Sequence, residues 1–477
     1  MHNKFRRTGA LVGAGAVVFG ALAVAAGTQA DAQQLPLGQV LGQPTPGRTA
    51  LANLQSRLGE VAQRNGLSEQ KLRETLATDT TAWLDPAGRL FFREPVLTKA
   101  QKAPEASPRW ATEAVAAAAG PAFELHSKPG SNRVIYLDFD GHAITGTAWN
   151  ADKGIDPVNV SPYDTDGSPA SFGTAEQDVV HEVWARVAED YAAFDVDVTT
   201  QQPAQDAINR TNAADLQYGT RVLIDPDTWY QSGCGCGGVA YIGVYDNSGQ
   251  HDYYQPALVF TKGVGTGAKN LAEAASHEAG HNVGLGHDGT ASVGYYEGHG
   301  SWAPIMGVGY YRGISQWSKG EYAGANNPED DYSVVGTHGL ALRTDEAGDT
   351  TGAAAALTVG APAAGYIAAE TDTDVYRVQV STAGNYTATA GASALGGNLD
   401  IKLDLLNSSG AVVTSADPAS GQTNAGTPTG LGATVTSNLQ PGTYYLRIDN
   451  VGYGDPLNTG YSTYGSRGGY SLTINPS

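Results

Sequence analysis

The stretch HEAGHNVGLGHD, residues 277–288, places three histidines, two carboxylates and three glycines in twelve positions. It dictates local structure more tightly than anything else in the chain. His277 and His281 lie one helical turn apart, so on a helix both rings leave the same face. Two imidazoles so placed can each give one nitrogen to a zinc ion at about 2.0–2.1 Å. Glu278 sits beside the first, near enough to reach a water on the metal without ligating it. Gly284 tolerates φ > 0, so the helix can end there and the chain can double back. His287 then arrives as a third ligand, leaving the fourth position to water. A chance HExxH on a solvated helix explains neither the glycine at the turning point nor the third histidine, and three buried imidazoles would need partners.

The spacing HExxHxxGxxHD resembles the metzincin zinc endopeptidases. Asp288, directly after the third histidine, resembles the reprolysin (adamalysin-like) and snapalysin branches. The resemblance implies a tight turn with a methionine beneath the metal. Of the two methionines one is the initiator; the other, Met306 in WAPIMG, follows His287 by 19 residues. The resemblance further implies zinc held by His277, His281 and His287, with Asp288 bracing the base of the site. Glu278 is then the general base, taking a proton from the zinc-bound water and returning it to the leaving amine. GGVAYIG at 237–243 is expected as the edge strand against which an extended substrate pairs, and QWSKGEY at 316–322 as a helix. The match spans residues 130–340 and is strongest over 270–310. Two features depart from relatives. Val308 stands two residues after the methionine, where some metzincins carry a tyrosine, and Tyr310 and Tyr311 come later. Residues 1–233 hold no cysteine, which excludes latency through a propeptide thiol. Cys234 and Cys236 either form a disulfide or remain thiols.

Residues 1–32 read as an export signal: Lys4, Arg6 and Arg7, then an apolar stretch, then Ala30-Asp31-Ala32 as a small-x-small cleavage site. A single membrane anchor is the rival reading. Residues 33–126 read as a propeptide and linker. Leu51, Leu54, Leu58 and Val61 recur at helical spacing, Ser68 can cap a second helix carrying Leu72 and Leu76, and Asp85-Pro86-Ala87-Gly88 makes a turn. A small domain that stays attached is the alternative. Maturation is expected between residues 100 and 132, in the Ala/Pro-rich linker. Residues 127–345 form the expected peptidase domain: RVIYLDF, DVDVTTQ, TRVLID and ALVFT as strands, with two helices. Thr174 with Gln177 is expected to box a helix running through Phe194, and Asn270 with Glu273 to box the helix carrying the motif. From residue 346 the alternating pieces DVYRVQV, LDIKLDLL and TYYLRID, parted by turns, predict an all-β sandwich. This tail resembles the bacterial pre-peptidase C-terminal domain over residues 353–476. No candidate catalytic residue lies beyond Met306, so the tail is expected to be dispensable for cleaving short peptides.

A formal net charge of −20 excludes nucleic acid as a partner. Protein or peptide substrates are the expected partners, with no stable membrane association once the signal is cleaved. The expected fold class is α+β: a metzincin-like mixed twisted sheet with an active-site helix, a small helical propeptide and the C-terminal sandwich. Calcium is a further candidate cofactor, at DTDG (164–167) and at Asp372 and Asp374, although solvated acidic turns explain both. VIYLDFDG mimics the opening of haloacid-dehalogenase-like phosphatases through Asp138 and Asp140, but the order of elements that follows does not suit that fold. The expected function is a secreted zinc-dependent endopeptidase. The alternative is a secreted binding or adhesion protein that works through its sandwich, with a structural or vestigial zinc site.

Overall fold

The computed structural model describes residues 40–98 and 120–477. The export signal, the start of the tether and most of the Ala/Pro-rich linker lie outside the described residues. Among the described residues no helix is long and apolar enough to cross a membrane.

Among the described residues, ten strands precede the motif: β1 (Thr45–Pro46), β2 (Ala82–Leu84), β3 (Leu90–Pro95), β4 (Arg133–Asp138), β5 (His142–Ile144), β6 (Val158–Val160), β7 (Asp197–Thr199), β8 (Tyr218–Asp225), β9 (Cys236–Tyr241) and β10 (Ala257–Phe260). Among the described residues, eight of them form one mixed sheet in the order β1-β2-β3-β9-β10-β8-β4-β7. β4 runs parallel to β7 and β8, and β8 parallel to β10, whereas β9 is antiparallel to both β10 and β3. β8 is buried along its whole length, as expected of a strand covered on both faces. The four strands read from the sequence are therefore present. The edge expected at GGVAYIG is not free, because β3 of the N-terminal segment pairs with it.

The helix Thr174–Asp190 lays Val180, Val183 and Val187 on the sheet against Ile135, Leu137, Val198 and Val222. Its start differs from expectation. Gly173 is the N-cap, and the Glu176 carboxylate accepts the Gly173 N–H at 2.9 Å. Only the glutamate half of a box forms, one residue earlier than Thr174–Gln177, because a glutamate competes better than a glutamine for a helix N-terminus. The helix also stops at Asp190 rather than Phe194. The motif helix, Ala268–Asn282, likewise begins on a glycine, Gly267, and Asn270 instead donates to the Val264 carbonyl at 2.9 Å. QWSKGEY is not helical: Ile314–Gln316 is a strand and turns follow, while the nearby helix is Asp331–Thr337. Ser68 does cap its helix, accepting from the Lys71 N–H at 3.1 Å.

The motif helix is buried on every side from Lys269 onward. A polar sequence tolerates this because most of its buried groups have partners. Ser276 donates to Asp190 at 2.6 Å, Lys269 to Glu273 at 2.5 Å, and Asn282 to the Tyr241 carbonyl at 2.9 Å. Ala272, Ala275, Ala279 and Gly280 let the neighbouring layers come close.

Residues 40–95 carry a core of their own, in which Leu54, Leu58, Val61, Leu72, Leu76 and Leu84 cluster with Phe92 and reach Ile242, just beyond the end of β9. The tail is a β-sandwich of a five-stranded and a four-stranded sheet among the described residues, with Val378, Leu403, Leu446 and Leu472 between them. It is not loosely tethered: Tyr464 and Ala368 belong to the main core.

Candidate metal centre

The motif helix ends as its glycine requires. Gly284 has φ +98°, its N–H bonds to the His281 carbonyl at 2.9 Å, and the Leu285 N–H returns to Gly280 at 3.0 Å. That pair of bonds closes the helix on a left-handed residue and swings His287 back toward His277 and His281. The Gly307 N–H bonds to Pro304 at 3.0 Å, making a tight turn with Ile305 and Met306 at its corners. A Cβ built on Gly280 would stand 2.6 Å from the Met306 sulfur. The glycine inside HEAGH is thus the gap into which the methionine packs. Asp288 ties the third histidine to this turn through its backbone, donating to the Met306 carbonyl at 2.9 Å. Its carboxylate is buried and is pushed well above the usual range by that burial and by Glu329.

Each histidine spends one ring nitrogen on a fixed acceptor. His277 Nδ1 bonds to the Ile305 carbonyl at 2.9 Å, His281 Nδ1 to the Leu285 carbonyl at 2.8 Å, and His287 Nδ1 to Asp79 at 2.6 Å. An imidazole that donates from Nδ1 presents a lone pair at Nε2, the arrangement usual for a metal ligand. His281 Nε2 and His287 Nε2 face each other at 3.1 Å, a separation that a proton shared between them or a cation held by both would satisfy. Donors bound to one tetrahedral zinc at about 2.0–2.1 Å stand about 3.3–3.4 Å apart, close to this spacing. His277 Nε2 and Glu278 Oε2 are buried without a hydrogen-bond partner. Glu278 lies against β9, where the missing side chain of Gly238 makes room for its carboxylate.

The fourth member of the cluster was not foreseen. Glu94 of β3 joins His277, His281 and His287, all four buried. Its oxygens lie 3.1 Å from His287 Nε2, 3.5 Å from His281 Nε2 and 3.7 Å from His277 Nε2. Asp79 and Tyr295 were also missed. The Tyr295 ring packs 4.3 Å from that of His287, and its hydroxyl donates to Thr81 at 2.6 Å. Setting residues 33–126 aside as propeptide hid Asp79 and Glu94; the available signal was a lone acid in the apolar run LFFREP. Tyr310 follows the methionine turn, and Glu278 and Glu94 are charged neighbours that help raise its pKa beyond what burial does.

Burial drives the His277 pKa down to about 3 and also lowers that of His281. Burial opposes charge on His287 too, yet Glu94 and Asp79 raise its pKa to about 10. Glu94, despite its burial, is held well below the usual carboxylate range by His287 and His281. Glu278 is pushed well above that range by burial and by Glu94. The buried Glu94 carboxylate is thus balanced by positive charge at His287.

Elsewhere Cys234 and Cys236 are joined as a disulfide. Asp138 pairs with Arg221 in the sheet, so it is not a free nucleophile. Asp164 and Asp166 gather near Glu176, and Asp372 near Asp345 and Asp349. In the first group Asp164 accepts the N–H groups of Asp166, Gly167 and Ser168, and Glu176 those of Thr165 and Gly173. These are closed acidic turns, and calcium gains no support from them.

Residues 185–288 match the metallo-peptidase family M12B reprolysin-like model, and residues 372–450 the bacterial pre-peptidase C-terminal domain. The comparison with curated proteins returned no match. Among solved structures, the pre-peptidase C-terminal domain of a collagenase from Bacillus anthracis is 19% identical, with TM-score 0.18, covering 28% of this chain and 97% of that one. A periplasmic inhibitor of g-type lysozyme from Aeromonas hydrophila is 14% identical, with TM-score 0.16, covering 25% and 96%. By these two family matches and the three-histidine motif within the first, the chain carries a reprolysin-like metallopeptidase domain, a metal-binding hydrolase of peptides, followed by a bacterial pre-peptidase C-terminal domain.

Proposed function

We propose that this protein is a secreted zinc-dependent endopeptidase of metzincin type, made with an N-terminal propeptide. His277, His281 and His287 would hold the zinc, and Glu278 would be the general base. The observation that carries this reading is the convergence of three Nε2 lone pairs, each aimed by an Nδ1 hydrogen bond to a fixed acceptor. Bound there, zinc supplies Lewis-acid polarisation of the scissile carbonyl and lowers the pKa of a water toward about 7. The chain does the rest. Glu278 accepts the proton of the attacking water and passes it to the leaving amine. Once β3 is displaced, β9 would offer an edge against which an extended peptide can pair, placing its carbonyl beside Glu278. The methionine turn holds His277 in place through the Ile305 carbonyl.

The test is cleavage of a diverse peptide mixture by the processed protein, with and without a chelator, alongside metal analysis. About one zinc per chain is expected, with cleavage lost on chelation. Glu278→Gln should keep its zinc and lose at least about 10²-fold in rate. Equal cleavage by the zinc-loaded variant would remove Glu278 from the mechanism.

A further inference from the structure

The sheet carries a second polar site on the face turned away from the motif helix. Successive residues of a strand point to opposite faces. On β8, Val222 and Ile224 pack in the core that holds Leu271, Ala275 and Ala279 of the motif helix. Arg221 and Leu223 face the other way, where Leu223 joins Ile144 of β5 and Val158 and Val160 of β6. On that side a cavity of about 500 Å³ opens between β5, the loop 250–256 and the short helix Gln205–Ile208, with Arg221 in its wall. Small-molecule sites span about 300–1,000 Å³.

Arg221 is fixed in place. Its guanidinium pairs with the buried Asp138 carboxylate and lies 4.9 Å from the centre of the Tyr136 ring. Asp138 engages Nη1, and a guanidinium has five N–H donors to give. His142, in the same wall, is kept neutral. Burial first, and then the positive charge of Arg221, push its pKa down to about 4 against the weaker pull of Asp140. The other walls carry unmet hydrogen bonds. Gln255 Oε1 accepts from the Arg221 N–H at 3.2 Å, so Nε2 is the amide donor, and it is buried with no partner. His251 is 1% exposed, and its Nε2 donates to the Tyr245 carbonyl at 3.0 Å. That leaves Nδ1 as a buried acceptor without a partner, and Asn209 Oδ1 is another. Native proteins leave few such groups, yet three wall residues of one cavity hold them. Gln250, also in the wall, takes φ +63°, a left-handed conformation that disfavours a side chain. Such strain collects at binding sites.

We propose that this cavity binds the carboxylate end of a short peptide, with Arg221 as the residue that recognises it. A carboxylate accepts from the guanidinium and from Gln255 Nε2. An inorganic anion brings acceptors only, whereas His251 Nδ1 and Asn209 Oδ1 call for a donor, which a peptide N–H supplies. Ile144, Ile208 and Pro256 give an apolar wall for the last side chain. The choice of a peptide rests on the reading of the protein as a peptidase, because each cleavage releases a new carboxylate end.

The test is calorimetric titration of the full chain carrying Glu278→Gln, which prevents cleavage, with N-acetyl-leucyl-leucine, its C-terminal amide, free leucine and acetate. The peptide acid should bind, and the amide at least about tenfold more weakly, because a hydrogen bond to a charged group is lost. Leucine and acetate should also bind more weakly than the peptide acid. On binding, hydrogen exchange should slow in residues 142–147 and 250–256 and stay unchanged in the motif helix. Arg221→Gln should erase the preference for acid over amide. That change strands the Asp138 carboxylate, so Ala143→Trp, at the exposed rim of the cavity, is the second variant and should block the peptide. Equal affinity for acid and amide, leucine or acetate binding as tightly as the peptide, protection confined to the motif helix, or full affinity in both variants would each overturn the proposal. A chain that binds the peptide acid here but cleaves no peptide would uphold the cavity and sink the peptidase reading. A zinc peptidase without this binding would do the reverse.

Discussion

Gly280 shows how much one missing methyl can decide. Within a helix, alanine outranks glycine by about 1 kcal/mol, so on propensity alone Gly280→Ala should stabilise the motif helix. The Met306 sulfur lies 2.6 Å from where that Cβ would go, and a Trp317 ring carbon 3.5 Å from it. Met306 is fully buried and holds the turn whose Ile305 carbonyl fixes His277. The expected outcome is a net loss of about 1–3 kcal/mol from overpacking, measured by denaturant unfolding. Part of it should return when Met306→Ala is added. A stabilised Gly280→Ala would show that the turn yields freely and does not hold the histidine.

At the scale of elements, β3 links the N-terminal unit to the sheet. Phe92 is 1% exposed, and its ring lies against both His281 and His287. Phe92→Ala should cost about 3–5 kcal/mol of docking, seen as faster amide hydrogen exchange in β3 and β9 while the sandwich strands keep their protection. Exchange unchanged in β3 would mean that its backbone pairing with β9 alone secures the segment. The helix starts at Gly173 and Gly267 carry a related lesson. The sequence offered Thr174–Gln177 and Asn270–Glu273 at suitable spacing, but competing hydrogen bonds set the register: Glu176 accepts from Gly173 and Asn270 donates to Val264.

For the whole molecule, the sandwich meets the peptidase domain over buried acids. Asp190 accepts from Asn398 Nδ2 at 2.9 Å, and Glu189 from the Gly469 N–H at 3.2 Å. Arg186 donates to the Gly426 carbonyl at 3.0 Å and Gln316 to that of Asn398 at 2.6 Å. Truncation near residue 345 would strip these partners from Glu189 and Asp190, and Tyr464 from the main core, so the tail supports the fold even though no candidate catalytic residue lies in it. Burial raises the Glu189 pKa to about 8 and that of Asp190 to about 7. A raised carboxyl binds its proton more tightly folded than unfolded, so its stabilisation is complete below the unfolded value and is lost as pH rises toward the folded one. Tm should therefore fall between pH 5 and pH 8. In Glu189→Gln the slope should flatten, by about 1–3 kcal/mol over that range, whatever constant cost the amide brings. Parallel Tm–pH curves for the two proteins would remove Glu189 as the source.

The sequence determined whatever is local in the chain. A one-turn histidine spacing, a glycine able to take φ +98° and a lone internal methionine define the three-histidine corner, because helix period and backbone sterics act over a few residues. Alternating strands and turn residues did the same for the sandwich, and Ser68 for its cap. What only tertiary structure decided lies far apart along the chain. Glu94 reaches His287 across 193 residues and Asp79 reaches it across 208. No periodicity or propensity encodes such a meeting. It follows from β3 finding the open edge of β9, whose unpaired backbone groups accept any extended partner of suitable shape, and from the burial that makes a carboxylate among imidazoles stable only there.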